Sequence, residues 1–218
     1  CLDVTLRSSF ANQGQVCLAG SRIYVERPLY ASFVEKLVER AKGLKIGDPM
    51  DPATTMGSLV SHGHRERVMA FVDAARAEGA TIAYGGERVD PASLPERVKG
   101  GAFMQPTIIT DVQEHYSCQA QEIFGPVVTI TPFDREEDVI ARANATEYGL
   151  SATVWTSDLR RGHRVAAAID AGLVWINSWF LRDLRTPFGG VKGSGIGREG
   201  GIYSLDFYTE LKNVCVQL

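Results

Sequence analysis

The sequence predicts an α/β fold with a mainly parallel, twisted sheet flanked by helices and followed by a C-terminal β-strand. Short runs of β-branched and aromatic residues alternate with longer segments of helical spacing, and turn residues separate them. Strands that alternate with helices along a chain usually lie parallel in one sheet. The 218 residues are enough for one large domain or two small ones with a buried core.

The first half of the chain shows this alternation from its beginning. Residues 1–10 have the pattern of a helix interior, and a β-branched and aromatic run that ends before Pro28 predicts a strand over residues 22–26. Apolar residues at helical spacing predict helices over residues 29–41 and 65–77, the second closed by Gly79. Turn residues predict a loop over residues 44–57 and a variable surface loop over residues 87–101. Residues 80–84 are predicted to form a strand.

The second half repeats the pattern. Apolar and β-branched runs predict strands over residues 103–110, 127–132, 151–156 and 173–177. Helical spacing predicts helices over residues 135–144 and 159–171. Residues 188–197 form a glycine-rich loop, and residues 205–218 are predicted to change from a helix to a strand in which Val214 and Val216 alternate with other residues.

Composition excludes several classes of protein. The chain has 44% hydrophobic and 22% charged residues, and its net charge of −3 argues against a nucleic-acid-binding surface. It has no apolar run of the roughly 20 residues that cross a bilayer, and no basic segment followed by an apolar run that would predict a secretory signal. Its cysteines are scattered, without a Cys-x-x-Cys pair: Cys1, Cys17, Cys118 and Cys215. We therefore expect no disulfide framework, no metal site, no membrane partner and a reducing, cytoplasmic location.

Residues 10–17, Phe-Ala-Asn-Gln-Gly-Gln-Val-Cys, make Cys17 the candidate nucleophile. The polar residues and Gly14 just before it indicate a tight bend. A turn or helix that begins at Cys17 would offer unpaired N–H groups to a thiolate and to an oxyanion. A thiolate attacks carbonyl carbons readily and leaves readily from a thioester. From the spacing alone, however, a small buried hydrophobic cysteine is the commoner outcome.

Three motifs, in order along the chain, resemble the catalytic, C-terminal domain of the aldehyde dehydrogenase superfamily. The first is Phe-x-Asn-x-Gly-Gln-x-Cys at residues 10–17, and the second is Glu-Ile-Phe-Gly-Pro-Val at residues 122–127. The third combines Pro-Phe-Gly-Gly-x-Lys-x-Ser-Gly at residues 187–195 with Gly-Arg-Glu at residues 197–199. Because the motifs extend over almost the whole chain, the resemblance is strong.

The resemblance implies oxidation of an aldehyde to a carboxylic acid with NAD as cofactor, NADP not being excluded. Cys17 would add to the aldehyde, pass a hydride to the nicotinamide and release the acid after hydrolysis of a thioester. Glu122 is expected at the nicotinamide ribose, Phe124 near the ring, and the backbone N–H of Cys17 at the oxyanion. Glu199 is either a proton relay or part of an ion pair with Arg198 or a lysine. The four histidines match no motif and are predicted to lie on the surface or on helix faces.

The segment from Asn177 to Phe188 is expected to line the aldehyde tunnel. Its residues 177–185, Asn-Ser-Trp-Phe-Leu-Arg-Asp-Leu-Arg, resemble the branch of 2-hydroxymuconic and 2-aminomuconic semialdehyde dehydrogenases of aromatic-ring catabolism. Arg182 is predicted to bind the carboxylate of such a substrate, the alternative being that it pairs with Asp183 or another acid. Phe188 and Phe10 complete the predicted substrate contacts. The choice between hydroxy and amino substrates, and a broader range of aldehydes, stay open.

We expect residues 1–202 to form a nucleophile-bearing catalytic domain and residues 203–218 to serve oligomerisation. The family resemblance implies a homo-oligomer, a dimer or tetramer, in which the C-terminal strand crosses to a neighbouring subunit. The family's general-base glutamate, its oxyanion asparagine and the adenosine half of the cofactor site all precede the nucleophile, and only sixteen residues precede Cys17 here. The chain is therefore expected to be a fragment with little activity by itself. Two alternatives are a thiol hydrolase that uses Cys17 on activated esters and a truncated, non-catalytic module.

Overall fold

The strands form two separate sheets in the computed structural model, which describes residues 1–218. A four-stranded sheet belongs to the first unit of the chain, Cys1–Ala143, and a two-stranded sheet belongs to the second unit, Asn144–Leu218.

In the first unit, the strands are arranged in the order β1-β4-β3-β2. They are β1 (Arg22–Glu26), β2 (Thr81–Tyr84), β3 (Thr107–Thr110) and β4 (Val127–Phe133). Strand β4 pairs in parallel with β1 and β3, whereas β2 is antiparallel to β3 at the edge of the sheet. The first five residues of β4 are buried, as expected for a central parallel strand that is covered on both faces. The predicted mainly parallel sheet is confirmed.

Helices pack on the two faces of this sheet. The helices of the first unit are α1 (Leu2–Phe10), α2 (Arg27–Lys42), α3 (His62–Glu78) and α4 (Ser117–Ala120), and α5 (Glu136–Asn144) ends at its boundary. Successive strand residues face opposite sides, so Ile108 packs with residues of α1 and α2 while Ile109 packs with residues of α3. The sheet is thus the middle layer between two buried clusters.

Some predicted boundaries were wrong for identifiable reasons. The strand predicted over residues 103–110 begins only at Thr107, because Pro106 has no N–H for a ladder hydrogen bond. Phe103 and Met104 are nevertheless buried, as their apolar character suggested. Helix α3 begins three residues earlier than predicted, since Ser61 caps it. The short helix α4 was not predicted because four residues carry no periodicity.

The second unit contains a strand–helix–strand crossover. Strands β5 (Ser151–Val154) and β6 (Leu173–Ile176) are parallel, and α6 (Leu159–Ala168) connects them. Asp158 caps α6 by accepting hydrogen bonds from the amides of Arg160 and Arg161. Helix α7 (Gly201–Tyr208) follows the glycine-rich loop.

The C-terminal strand expected in residues 209–216 does not form within this chain. Residues 209–218 have no regular secondary structure and are exposed throughout. A strand is stable only beside another strand, and the chain offers these residues none. None of the helices combines the length and the apolar character that crossing a membrane requires.

Candidate active site

Cys17 lies on an exposed turn that begins at Val16 and precedes β1. The amide of Ala19 donates to the carbonyl of Val16 at 2.9 Å, and the amide of Gly20 donates to the carbonyl of Ser8 at 3.1 Å, which fastens the turn to α1. Of the two alternatives considered, a turn rather than a helix is present here. The backbone N–H of Cys17 has no acceptor within the chain, so it is free to donate to an oxyanion.

Cys118 is the buried cysteine of this chain. Its side chain packs in the core with α3 and is 3% exposed. Burial raises the pKa of the Cys118 thiol to about 11, so its reactive thiolate form is scarce near neutral pH. The description of a small buried hydrophobic cysteine therefore applies to Cys118 and not to Cys17, which is exposed to solvent.

The bend before Cys17 brings its loop against the second motif, residues 122–127. Three successive residues with φ values of 50°, 58° and 67° form the bend: Asn12, Gln13 and Gly14. A Cβ atom at Gly14 would lie 2.1 Å from the carbonyl oxygen of Gly125, so only glycine permits this approach. The structure therefore brings the loop of Cys17, the predicted nucleophile, and the predicted cofactor-contacting turn together.

Two glutamines of the bend are held by the loop of residues 57–60. The side-chain oxygen of Gln15 accepts a hydrogen bond from the amide of Val60 at 3.1 Å. The side-chain oxygen of Gln13 accepts from the amide of Gly57 at 2.9 Å, and its nitrogen donates to the carbonyl of Asn12 at 3.0 Å. The polar residues of the first motif thus brace the backbone that presents Cys17.

Glu122 and Phe124 are exposed on either side of the buried Ile123. Ile123 is 6% exposed and packs in the core with α3, whereas Phe124 is 38% exposed and has a φ of 56°. The Glu122 carboxylate has no hydrogen-bond or ion-pair partner within the chain. Phe124 is therefore not the core aromatic that its type alone suggests, and both side chains are available to a ligand.

His64 is a residue of this region that sequence reasoning missed. It lies on a face of α3, which is one of the two locations predicted for it, but that face is buried: His64 is 9% exposed and its Nε2 lies 2.7 Å from the carbonyl oxygen of Phe124. A signal was present, because His64 lies four residues before Val68 and eight before Val72 on the apolar side of α3. The other three histidines are exposed, as predicted: His62, His115 and His163.

In the second unit, Arg182, Phe188 and Glu199 form one cluster. The guanidinium carbon of Arg182 lies 4.2 Å from the centroid of the Phe188 ring, and its Nη2 lies 3.6 Å from Oε1 of Glu199. The backbones of Phe188 and Glu199 exchange two hydrogen bonds of 2.8 Å. The ion-pair partner of Glu199 is Arg182, and not Arg198 or a lysine as predicted. For Arg182 the observed partner is likewise another acid and not Asp183.

The loop that carries Arg182 is fixed at both ends. The indole N–H of Trp175, in β6, donates to the carbonyl of Leu181 at 2.9 Å. The side-chain oxygen of Asn177 accepts a hydrogen bond from the amide of Thr156 at 2.9 Å, and its side-chain nitrogen donates to the carbonyl of Thr156 at 2.8 Å. Asp183 pairs with Arg185, which leaves Arg182 to Glu199.

Phe10 has a different role from the predicted one. It is 2% exposed and packs with Leu37 and Ala41 of α2 and with strand residues Val128 and Ile130. A side chain enclosed in this way is not accessible to a substrate, so we assign Phe10 to the core. Its place in the motif is explained by packing, since it anchors the end of α1 just before the bend.

The model of the Aldehyde dehydrogenase family matches residues 1–214 of the chain. The chain belongs to this family. The 2-hydroxymuconic semialdehyde dehydrogenase of Pseudomonas putida is 53% identical over 217 residues, and the 2-aminomuconic semialdehyde dehydrogenase of Homo sapiens is 51% identical over 217 residues. Both alignments cover 100% of this chain and 44% of the relative. This aldehyde dehydrogenase chain therefore spans less than half the length of these proteins.

Solved structures, an aldehyde dehydrogenase among them, have the same fold. The HpcC protein of Thermus thermophilus superposes with a TM-score of 0.91 at 44% identity, covering 97% of this chain and 41% of that protein. An NAD⁺ complex of an aldehyde dehydrogenase from Bacillus cereus also has a TM-score of 0.91, at 46% identity over 100% of this chain and 43% of that protein. The predicted fold class and family are confirmed.

Proposed function

We propose that this chain carries the nucleophile of an NAD(P)-dependent aldehyde dehydrogenase whose substrate is a semialdehyde with a carboxylate at its far end. The observation that supports this most directly is the contact of Gly14 with Gly125, which places the exposed Cys17 loop beside the turn of Glu122 and Phe124. An accessible thiol, in a loop that packs against a turn with an exposed carboxylate and an exposed phenyl ring, suits a reaction between a carbonyl and a bound cofactor.

The proposed reaction begins at Cys17. Its thiolate attacks the aldehyde carbon, so that a C–S bond forms and the C=O π pair becomes an alkoxide that accepts a hydrogen bond from the N–H of Cys17. When the alkoxide re-forms the C=O bond, hydrogen leaves the same carbon with its electron pair. Water then adds to the thioester on Cys17, the C–S bond breaks, the thiolate returns, and the acid leaves as its carboxylate with two protons released to solvent.

Glu122 and Phe124 fit the nicotinamide side of the cofactor. A free carboxylate accepts hydrogen bonds from the two hydroxyls of a ribose, and an exposed phenyl ring packs against a flat aromatic ring. NAD⁺, when bound, accepts the hydride that leaves the aldehyde carbon. Glu122 and Phe124 would orient it, and the Gly14–Gly125 contact sets their distance from the Cys17 loop.

Arg182 would bind the carboxylate of the substrate. Its guanidinium lies over the Phe188 ring, and the 3.6 Å separation from Glu199 is longer than a hydrogen bond, so its N–H groups are available to a closer anion. We assign Glu199 to orienting Arg182 in preference to proton relay. The names of the relatives, hydroxy- and aminomuconic semialdehyde dehydrogenases, support a substrate of this class.

We further propose that residues 1–202 act as the catalytic domain and residues 203–218 as an oligomerisation segment of a homo-oligomer. The apolar, exposed side chains after residue 201 support this division, since such side chains are usually covered in an assembly.

The proposal is tested by NADH formation from 2-hydroxymuconic semialdehyde and from an uncharged aldehyde, with the natural gene product that contains this chain. Cys17→Ala should abolish NADH formation from both aldehydes, whereas Cys118→Ala should retain it. Arg182→Leu should lower kcat/KM about ten- to a hundredfold for the semialdehyde alone, because one charged hydrogen-bonding partner is lost. Arg185→Leu, in the same loop, is the matched control and should leave both substrates unchanged.

Two results would contradict the proposal. An active Cys17→Ala variant would exclude the thiol mechanism, and equal loss with both aldehydes in Arg182→Leu would exclude recognition of a carboxylate. Hydrolysis of activated esters without any NADH formation would favour a thiol hydrolase.

A further inference from the structure

His64 connects helix α3 to the turn that carries Phe124. It lies in the first turn of α3, is 9% exposed, and its Nε2 is 2.7 Å from the carbonyl oxygen of Phe124. The hydroxyl of Ser61 accepts a hydrogen bond from the backbone amide of His64 at 3.1 Å, which fixes the start of the helix. The side chain therefore comes from a rigid, capped position.

The partners of the two ring nitrogens determine which of them carries the proton. The carbonyl oxygen of Phe124 only accepts, so Nε2 is the donor. Nη2 of Arg67 lies 3.0 Å from Nδ1, and a guanidinium only donates, so Nδ1 is the acceptor. Arg67 thus selects the neutral Nε2–H tautomer, the one that binds the carbonyl.

The turn is held by α3 at a second point, one helical turn after His64. A Cβ atom at Gly125 would lie 2.7 Å from Cγ2 of Val68, so the backbone of the turn lies directly on α3. Phe124 itself has a φ of 56°, a conformation that non-glycine residues adopt only when their surroundings hold them there. The hydrogen bond to its carbonyl is a direct restraint on that conformation.

We propose that His64 is a positioning residue for the cofactor: by holding the carbonyl of Phe124, it orients the turn that presents Glu122 and Phe124 to the nicotinamide. This inference rests on the proposed function of that turn. A histidine whose only role was to complete its own hydrogen bonds in the core could donate to any nearby acceptor. His64 donates to the carbonyl of Phe124, the residue proposed to contact the nicotinamide ring.

The test compares three variants of the natural gene product by fluorescence titration with NADH. His64→Leu should raise the dissociation constant of NADH about tenfold, as expected for loss of one buried hydrogen bond, and raise the KM of NAD⁺ without raising that of the aldehyde. His64→Gln should remain within about twofold of the parent, since an amide supplies one donor and one acceptor as the neutral imidazole does. His62→Leu is the matched control. His62 lies in the same helix as His64, and its Nε2 is 2.9 Å from a backbone carbonyl oxygen outside the proposed site, that of Gly100.

A second readout does not depend on the cofactor. Hydrogen exchange of the backbone amides of residues 122–127 should accelerate in His64→Leu and not in His62→Leu. Should His64→Leu fail to fold, His64→Asn replaces it, because its shorter side chain does not reach the carbonyl. The inference is overturned if His64→Leu leaves both NADH binding and exchange unchanged, or if His64→Gln weakens binding as much as His64→Leu does. Failure of the parent protein to bind NADH would count against the proposed function, while hydrogen exchange would still decide whether His64 holds the turn.

Discussion

Gly14 is the residue on which the geometry of the proposed site depends most directly. Its φ of 67° lies in the left-handed region, which glycine adopts without steric cost, and the carbonyl oxygen of Gly125 lies where the Cβ atom of any other residue would be. Arg182 illustrates another kind of dependence, because its guanidinium lies over the ring of Phe188 and 3.6 Å from the carboxylate of Glu199. In both cases the surroundings of one residue come from contacts that no local periodicity predicts.

Gly14→Ala should therefore lower the free energy of unfolding by about 2 kcal/mol or more, because it adds left-handed strain to a backbone clash. NADH formation should fall as well, since the Cys17 loop must move. Gly63→Ala is the matched control: it lies in α3, its Cβ would meet nothing within 4 Å, and it should be neutral or stabilising by up to about 1 kcal/mol. Urea denaturation of both variants measures the difference, and equal stability would contradict the close approach.

Helix α3 is the element that organises the first unit around the candidate site. One side of it packs in the core through Val68, Met69, Val72 and Ala75. Its first turn supplies His64 to the Phe124 carbonyl, and its last turn is closed by Gly79, with a φ of 98°. The same helix therefore stabilises the sheet and supports the proposed cofactor turn.

The N-terminal cap of α3 is accordingly expected to matter for stability. Ser61→Ala removes the acceptor for the His64 amide and should lower the free energy of unfolding by about 1 kcal/mol. Ser61→Asp keeps an acceptor and adds a favourable charge at the helix N-terminus, so it should retain the stability of the parent. Thermal unfolding of the two variants distinguishes them, and a stable Ser61→Ala variant would show that core packing alone fixes the start of the helix.

On the scale of the whole molecule, the C-terminal region is the part whose apolar side chains have no cover. Phe207, Leu211, Val214 and Val216 are all at least 69% exposed. Residues 210–218 also have unpaired backbone N–H groups, and a segment with both properties is prone to pair with another chain. We propose that a second copy of the protein covers it.

A charged substitution in this segment tests that proposal. The double variant Val214→Lys and Val216→Lys should shift the natural gene product towards smaller assemblies, because lysines oppose strand pairing between chains. Ile196→Lys is the control, since Ile196 is 98% exposed but lies outside the segment. Analytical ultracentrifugation reports the outcome, and an unchanged mass of the assembly in the double variant would exclude this segment from the interface.

The sequence by itself determined the fold class, the order of helices and strands, and the family. These follow from local patterns: periodicity over a few residues, turn residues, and motifs whose letters can be read directly. For the same reason most elements were predicted within a few residues; the strand after Pro106 begins four residues later than predicted, and the larger error is the C-terminal strand, which does not form.

Only the tertiary structure decided which distant groups meet. Local sequence does not reveal that Gly14 lies on the carbonyl of Gly125, that His64 donates to Phe124, or that Glu199 is the partner of Arg182. It also did not reveal that Phe10 belongs to the core, or that residues 209–216 find no strand to pair with. The physical reason is that these contacts depend on how whole elements pack, and packing joins residues whose separation along the chain carries no periodic signal.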